Sequence, residues 1–283
     1  MKIATRYESV FDYGFWEAQI DALNTSYSSA GPFPHIVIDN FLPVDLLGKV
    51  LGEIENFAPD EWINYVHVNE RKKGFNRFES FPPHLKQLVA ELNSAKFADF
   101  VSQLTGIKGL LADESLEGGG LHESRRDGFL NIHADFVSHP HNPYWRRRVN
   151  ILIYLNKNWQ DEWGGQLELW SNDMKQCVQK ISPLFNRCVI FSTDEKSFHG
   201  HPEPMKCPSG TVRRSIALYY FTQEGKPLNV RSTNYRARPQ DKRRQWLIEL
   251  DNQLLNIYTT IKRRAGLKDG FISRVSKWIY GNK

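Results

Sequence analysis

From Phe129 to Phe221 the chain breaks into a succession of short strand-like runs: Phe129–Phe136, Arg148–Leu155, Gln166–Trp170, Cys177–Ile181, Cys188–Phe191 and Arg213–Phe221. Turn signals separate them, Trp163-Gly164-Gly165 being the clearest, and Gln166 and Glu168 alternate with Leu167 and Leu169 beyond that turn. Strands this short, at this spacing, have no room between them for the crossover helices that a parallel sheet requires. The pattern predicts an antiparallel sandwich or jelly roll.

The flanks read differently. Leu46, Leu47, Val50, Leu51 and Ile54 recur at helical spacing after Pro43, which suits a first turn. Leu85, Leu88, Val89 and Leu92 mark a second helix, and Phe97, Phe100, Val101 and Leu104 a third that stops at Gly106. Beyond Gly225, Trp246, Leu247, Leu250, Leu254, Ile257, Tyr258 and Ile261 predict one apolar helix face. Phe271, Ile272, Val275, Trp278 and Ile279 predict a basic amphipathic tail that packs on its own domain or on a second subunit, so a homodimer through these helices is open. The division expected is a mainly helical support region over 1–117, a β core over 118–225 and a helical extension over 226–283. Gly118-Gly119-Gly120 reads as a flexible hinge at the first boundary. The fold class is α+β: a mainly β core with N- and C-terminal helices around it.

Composition narrows the setting. The 283 residues are 40% hydrophobic and 13% aromatic, enough for a sizeable core. Cys177, Cys188 and Cys207 are odd in number and lack metal spacing, which points to a reducing compartment and a cytoplasmic protein. No apolar run approaches the roughly 20 residues of a membrane span, and the N-terminus has no signal-peptide core. The net charge of +5 comes without a nucleic-acid recognition motif, so no nucleic-acid partner is expected. Arg146-Arg147-Arg148 reads as a solvated charge run, with an anionic-substrate clamp as the rival.

Within the β core, His133-Ala134-Asp135 places an imidazole and a carboxylate on the same face of an extended strand. A second imidazole from a remote strand, His199 or His201, completes a 2-His-1-carboxylate set, which covers one face of an octahedral Fe(II) and leaves three positions open. On another strand Arg213 and Ser215 share a face. A buried guanidinium beside a metal cavity calls for an anion, and a planar carboxylate accepts it bidentately. Tyr154, sharing its face with Asn150, supplies a phenol that can finish such a site. His139 and His141 flank Pro140 in a loop, where exposure is the ordinary state, and His122 follows the triple glycine near the mouth of the barrel. His35, His67 and His84 are isolated and read as ordinary surface or core histidines.

These residues resemble the Fe(II)/2-oxoglutarate-dependent dioxygenases, most closely their prolyl 4-hydroxylase-like branch. The resemblance rests on His133-Ala134-Asp135, Tyr154-Leu155-Asn156 leading to Gly164-Gly165, Phe198-His199, and Arg213-Arg214-Ser215-Ile216-Ala217. It implies a double-stranded β-helix in which His133, Asp135 and His199 hold Fe(II), His199 being preferred to His201 because it follows Phe198. It also implies that 2-oxoglutarate pairs its far carboxylate with Arg213, helped by Tyr154, Ser215 and Asn150. O2 is the oxidant, succinate and CO2 the co-products, and ascorbate a candidate reductant. The expected reaction is hydroxylation of an unactivated C–H bond in a peptidyl, proline-like substrate or a small molecule. Related halogenases carry a small residue where Asp135 stands, so the carboxylate implies hydroxylation. The competing classes are a non-catalytic jelly-roll binder and a cupin-like metal oxygenase that does not use 2-oxoglutarate.

Overall fold

The computed structural model describes residues 10–59, 62–229 and 232–265. Helices α1 (Tyr13–Glu17) and α2 (Ile20–Ser29) lead into strand β1 (His35–Ile38), and α3 (Val44–Glu55) follows. A hairpin of β2 (Ile63–His67) and β3 (Glu70–Phe75) precedes α4 (Pro83–Leu92) and α5 (Ala95–Thr105). The core strands are β4 (Leu111–Ala112), β5 (Gly120–Ser124), β6 (Phe129–Ala134), β7 (Trp145–Tyr154), β8 (Leu167–Trp170), β9 (Cys177–Ile181), β10 (Cys188–Ser192), β11 (His199–His201) and β12 (Arg213–Gln223). A two-residue strand β13 (Asn234–Tyr235) and the long helix α6 (Gln245–Ala265) complete the described chain.

The strands form one antiparallel sheet in the order β1-β10-β7-β12-β5-β3-β6-β11-β8-β9, with β2 on β3, β4 on β12 and β13 on β6. It curls as a jelly-roll core with helices around it, the architecture expected. The alternation along β7 explains its two environments. Val149, Ile151 and Ile153 join the core that α3, α4 and α5 cover, through Leu47, Val50, Leu88, Phe97 and Leu104 among others. Tyr154 and Leu152 turn inward with Leu167, Leu169, Val189 and Phe191. Local chemistry fixes the helix ends: the Ser94 hydroxyl accepts from the Phe97 amide, and Gly106 closes α5 in the left-handed region with φ 71°.

Three features depart from expectation. The triple glycine is not a hinge but a place of close approach. A Cβ on Gly119 would lie 2.7 Å from the Ala217 carbonyl oxygen, and one on Gly120 only 2.4 Å from that of Phe75. The β2–β3 hairpin was hidden by its charged, weakly alternating sequence. Its strand β3 lies between β5 and β6, next to the strand that carries His133. Helix α6 has its apolar stripe outward: Trp246, Leu250, Leu254 and Ile257 are exposed, and Ile248 is buried instead. The amphipathic tail with Phe271, Ile272, Val275, Trp278 and Ile279 lies outside the described residues. No helix among the described residues is long and apolar enough to cross a membrane.

Candidate metal centre

Strands β6 and β11 pair so that His199 stands directly opposite His133. Opposed residues of an antiparallel pair project to the same side, and the two imidazole centroids lie 4.5 Å apart. Each ring is oriented the same way. Nδ1 of His133 donates to the Asn131 carbonyl and Nδ1 of His199 to the Ser197 carbonyl, both at 2.9 Å. In the neutral form of either ring this leaves Nε2 as the free lone pair. Those atoms approach Asp135, His133 Nε2 at 3.5 Å from Oδ1 and His199 Nε2 at 3.4 Å from Oδ2. The separations are long for hydrogen bonds and suit donors that share one cation. One ligand atom from each of the three lies within 4.8 Å of the others, and this is the metal-competent cluster among the described residues. His201, the rival imidazole, stands opposite Leu130 after a bulge and is not in the cluster. Gly200 permits the close contact at that bulge, since a Cβ there would meet the Leu130 carbonyl oxygen at 2.7 Å.

Electrostatics prepare these groups for a cation. Burial alone raises the Asp135 carboxyl, but Arg147 and the two imidazoles outweigh it and hold the group well below the usual carboxylate range. Burial lowers His199 to about 4 and His122 to about 3, so both rings are neutral. Burial also takes His201 well below its ordinary value.

Arg147 fits neither reading of the arginine run. It is 1% exposed, with its Nη2 3.0 Å from Asp135 Oδ2. Its Nε donates to Asn150 Oδ1 at 2.7 Å, and Asn150 Nδ2 donates to Asp135 Oδ2 at 2.7 Å. The Tyr219 ring covers the guanidinium at 3.4 Å. The cause is a bulge: between Val149↔Tyr220 and Arg147↔Phe221, β7 advances two residues and β12 one. The extra residue, Arg148, reverses the alternation and turns Arg147 to the same side as Asn150. Asn150, expected beside the co-substrate, donates to the carboxylate of Asp135.

The second half of the site is cationic. Ser215 lies in register with Tyr154 on one side and His122 on the other, so the three form a row across β7, β12 and β5. Arg213 is 6% exposed; its Nε donates to the Gly165 carbonyl at 2.8 Å and its Nη2 to the Tyr154 hydroxyl at 3.4 Å. No carboxylate among the described residues forms an ion pair with it. A buried guanidinium left uncompensated fits a site for a carboxylate ligand.

The remaining histidines lie outside the cluster. His139 is buried, not exposed, and its Nδ1 accepts from the amides of His141 and Asn142 at 3.2 Å each. His35 pairs with Gln179 and His84 with Glu53. Sequence reasoning missed Arg147 and Tyr235; the ring of Tyr235 lies 5.3 Å from His133.

The family model described as the 2OG-Fe(II) oxygenase superfamily matches residues 119–221. Prolyl 3-hydroxylase OGFOD1 of Mus musculus is 26% identical over 196 residues, 67% of this chain and 33% of that protein. Prolyl hydroxylase EGLN3 of Mus musculus is 31% identical over 91 residues, 31% of this chain and 36% of that protein. The chain thus spans about a third of the length of these relatives. A solved prolyl hydroxylase from Trichoplax adhaerens, in complex with a hypoxia inducible factor oxygen degradation domain peptide fragment, has the same fold. It aligns with a TM-score of 0.54 at 21% identity, covering 76% of this chain and 96% of that one. The stretch that matches the 2OG-Fe(II) oxygenase superfamily, residues 119–221, contains the His-Asp-His cluster, and prolyl hydroxylases are among the proteins this chain is similar to.

Proposed function

We propose that the protein is an Fe(II)- and 2-oxoglutarate-dependent hydroxylase acting on a prolyl residue of a peptide. One observation carries the reading: a buried arginine without a carboxylate partner among the described residues shares a jelly roll with a preoriented two-imidazole, one-carboxylate cluster. A non-catalytic binder has no use for both halves, and a metal oxygenase without a 2-oxo acid co-substrate has no use for an uncompensated Arg213.

Nε2 of His133, Nε2 of His199 and the Asp135 carboxylate would hold the ferrous ion. When bound, the ion lets O2 decarboxylate 2-oxoglutarate to succinate and CO2, one oxygen atom entering succinate and the other the substrate C–H bond. Arg213 binds the far carboxylate of the co-substrate. The Tyr154 phenol, which accepts from Arg213, keeps its own proton to donate to the same carboxylate. Arg147 and Asn150 hold Asp135 ionised and fix its rotation. Phe191, edge-on at 4.7 Å from His199, excludes water from that ring.

The prolyl preference is supported by the relatives, two of which are prolyl hydroxylases by name. A small-molecule substrate is the alternative outcome of the test below. The free thiols Cys177, Cys188 and Cys207 support a reducing, cytoplasmic setting. The outward apolar stripe of α6 supports a homodimer through the C-terminal helices.

The test is succinate release from 2-oxoglutarate with and without Fe(II), followed by a screen of proline-containing peptides for stimulated turnover and a mass gain of one oxygen. Iron-dependent succinate formation, enhanced by such a peptide, is the result expected. Turnover without 2-oxoglutarate, or no turnover with iron bound, would overturn the assignment; stimulation by small molecules alone would overturn the peptide substrate.

A further inference from the structure

We propose that helix α6 is a working wall of the metal centre, and that Tyr235, held in place by Asn252, is the residue through which it positions His133. The inference rests on the metal-centre reading above and extends it to residues beyond the matched stretch 119–221.

Strand β6 is pinned along both edges at the same level. On one side β11 sets His199 opposite His133, and on the other β13 sets Tyr235 opposite His133. His199, His133 and Tyr235 therefore stand in one row and face the same side. The Tyr235 ring lies 5.3 Å from the His133 imidazole at 45°, so His133 is flanked by an aromatic ring on either hand. Its Nδ1 is fixed by the Asn131 carbonyl, and the flanking rings fix its plane. Tyr235 is 4% exposed. Burial raises its phenol well above the ordinary value, and the negative charges of Glu70, Asp251 and Asp135 add to that.

A strand of two residues cannot hold such a position alone. What secures it is α6. Asn252 Nδ2 donates to the Tyr235 carbonyl at 2.8 Å, and the Tyr235 amide donates to Asn252 Oδ1 at 3.0 Å. This two-bond bridge does for β13 what a neighbouring strand would do. The preceding residue, Asp251, reaches the same strand by a second route. Its Oδ2 accepts from Asn69 Nδ2 at 2.6 Å, and Asn69 Oδ1 accepts from Asn131 Nδ2 at 2.9 Å. Two consecutive residues of α6 thus lead separately to Asn131 and His133, both on β6. The helix turns its hydrogen-bonding face to the site and its apolar stripe to the outside, an orientation that gives up apolar burial in order to make these contacts.

The test uses the full-length protein and Co(II), whose ligand-field absorption reports the coordination geometry. Asn252→Ala and Tyr235→Leu are expected to weaken Co(II) binding about tenfold or more, the usual effect of removing a group that orients a metal ligand, and to shift the absorption bands. Tyr235→Phe keeps the ring and is expected to stay within about twofold of the wild type, as is Trp246→Ser on the outer face of α6. Wild-type affinity and spectrum in both Asn252→Ala and Tyr235→Leu would overturn the inference. Should Tyr235→Leu not fold, Asn252→Ala, which removes one amide from the edge of the helix, decides alone. Failure of the wild type to bind Co(II) would overturn the metal centre itself, a result distinct from wild-type binding that is insensitive to these changes.

Discussion

At the scale of single residues the proposed site divides into groups suited to a cation and one suited to an anion. Asp135 is pre-charged by Arg147 and oriented by Asn150. Replacing Arg147 with Met is expected to lower Fe(II) affinity by about 10–100-fold. Since Arg147 is what keeps the Asp135 pKa depressed, losing it raises that pKa, and the acid limit of metal binding moves to higher pH. A metal titration at a series of acidic pH values checks both effects. Arg213 makes the opposite prediction for stability. Burial lowers its pKa, which reflects the cost of keeping a cation there without a counter-ion. Arg213→Met should raise the melting temperature of the ligand-free protein by a few degrees. The same substitution should raise the KM for 2-oxoglutarate by about 100-fold or more. Calorimetry and succinate kinetics on one sample test the pair. Strand alternation made His133 with Asp135, and Arg213 with Ser215, legible as same-face pairs, whereas His199 was preferred to His201 only through the family resemblance. Arg147 was not legible, because a bulge at Arg148 breaks the period on which the reading relies.

At the scale of elements, local signals were reliable where one face meets one environment. The helices α3, α4 and α5 and most core strands follow their apolar periods. The β2–β3 hairpin and β11 do not, since they are short, charged or histidine-rich and take their structure from the neighbours they pair with. Gly120 shows why a glycine run need not mean flexibility. At φ 89°, with a Cβ position 2.4 Å from the Phe75 carbonyl oxygen, Gly120→Ala should destabilise the fold by about 2 kcal/mol or more in urea unfolding. The hairpin and α6 meet at His67, whose Nδ1 faces Asp251 and Nε2 faces Glu70, each at 2.9 Å. Burial lowers the imidazole pKa, but Asp251 and Glu70 outweigh it and raise the group from 6.5 to about 9. A raised pKa in the folded state gives stability that is complete below 6.5 and lost as pH climbs through about 9. The melting temperature of His67→Gln should therefore fall furthest below that of the wild type near neutral and mildly acidic pH, and the gap should close on the alkaline side of that window. A gap independent of pH would contradict the paired-imidazole latch.

At the scale of the molecule, the stretch matched by the family model, residues 119–221, carries the proposed metal and anion groups, and the proposed role of the rest is to set how firmly they are held. Sequence reading located the first part because few side chains can do that chemistry. It could not foresee that β3, β13 and α6 close around β6, since those contacts join residues far apart in sequence whose types, Asn69, Asn131, Tyr235 and Asn252, are common in any loop or helix. The central claim is that one cavity binds Fe(II) through His133, Asp135 and His199 and a 2-oxo acid through Arg213. Its most direct measurement is an anaerobic titration of the full-length protein with Fe(II) and 2-oxoglutarate, followed by visible absorption. The account predicts a metal-to-ligand charge-transfer band that needs both components, disappears in His133→Ala and requires far more 2-oxoglutarate in Arg213→Met. Full iron binding with no band at saturating 2-oxoglutarate, or a band indifferent to both substitutions, would contradict it.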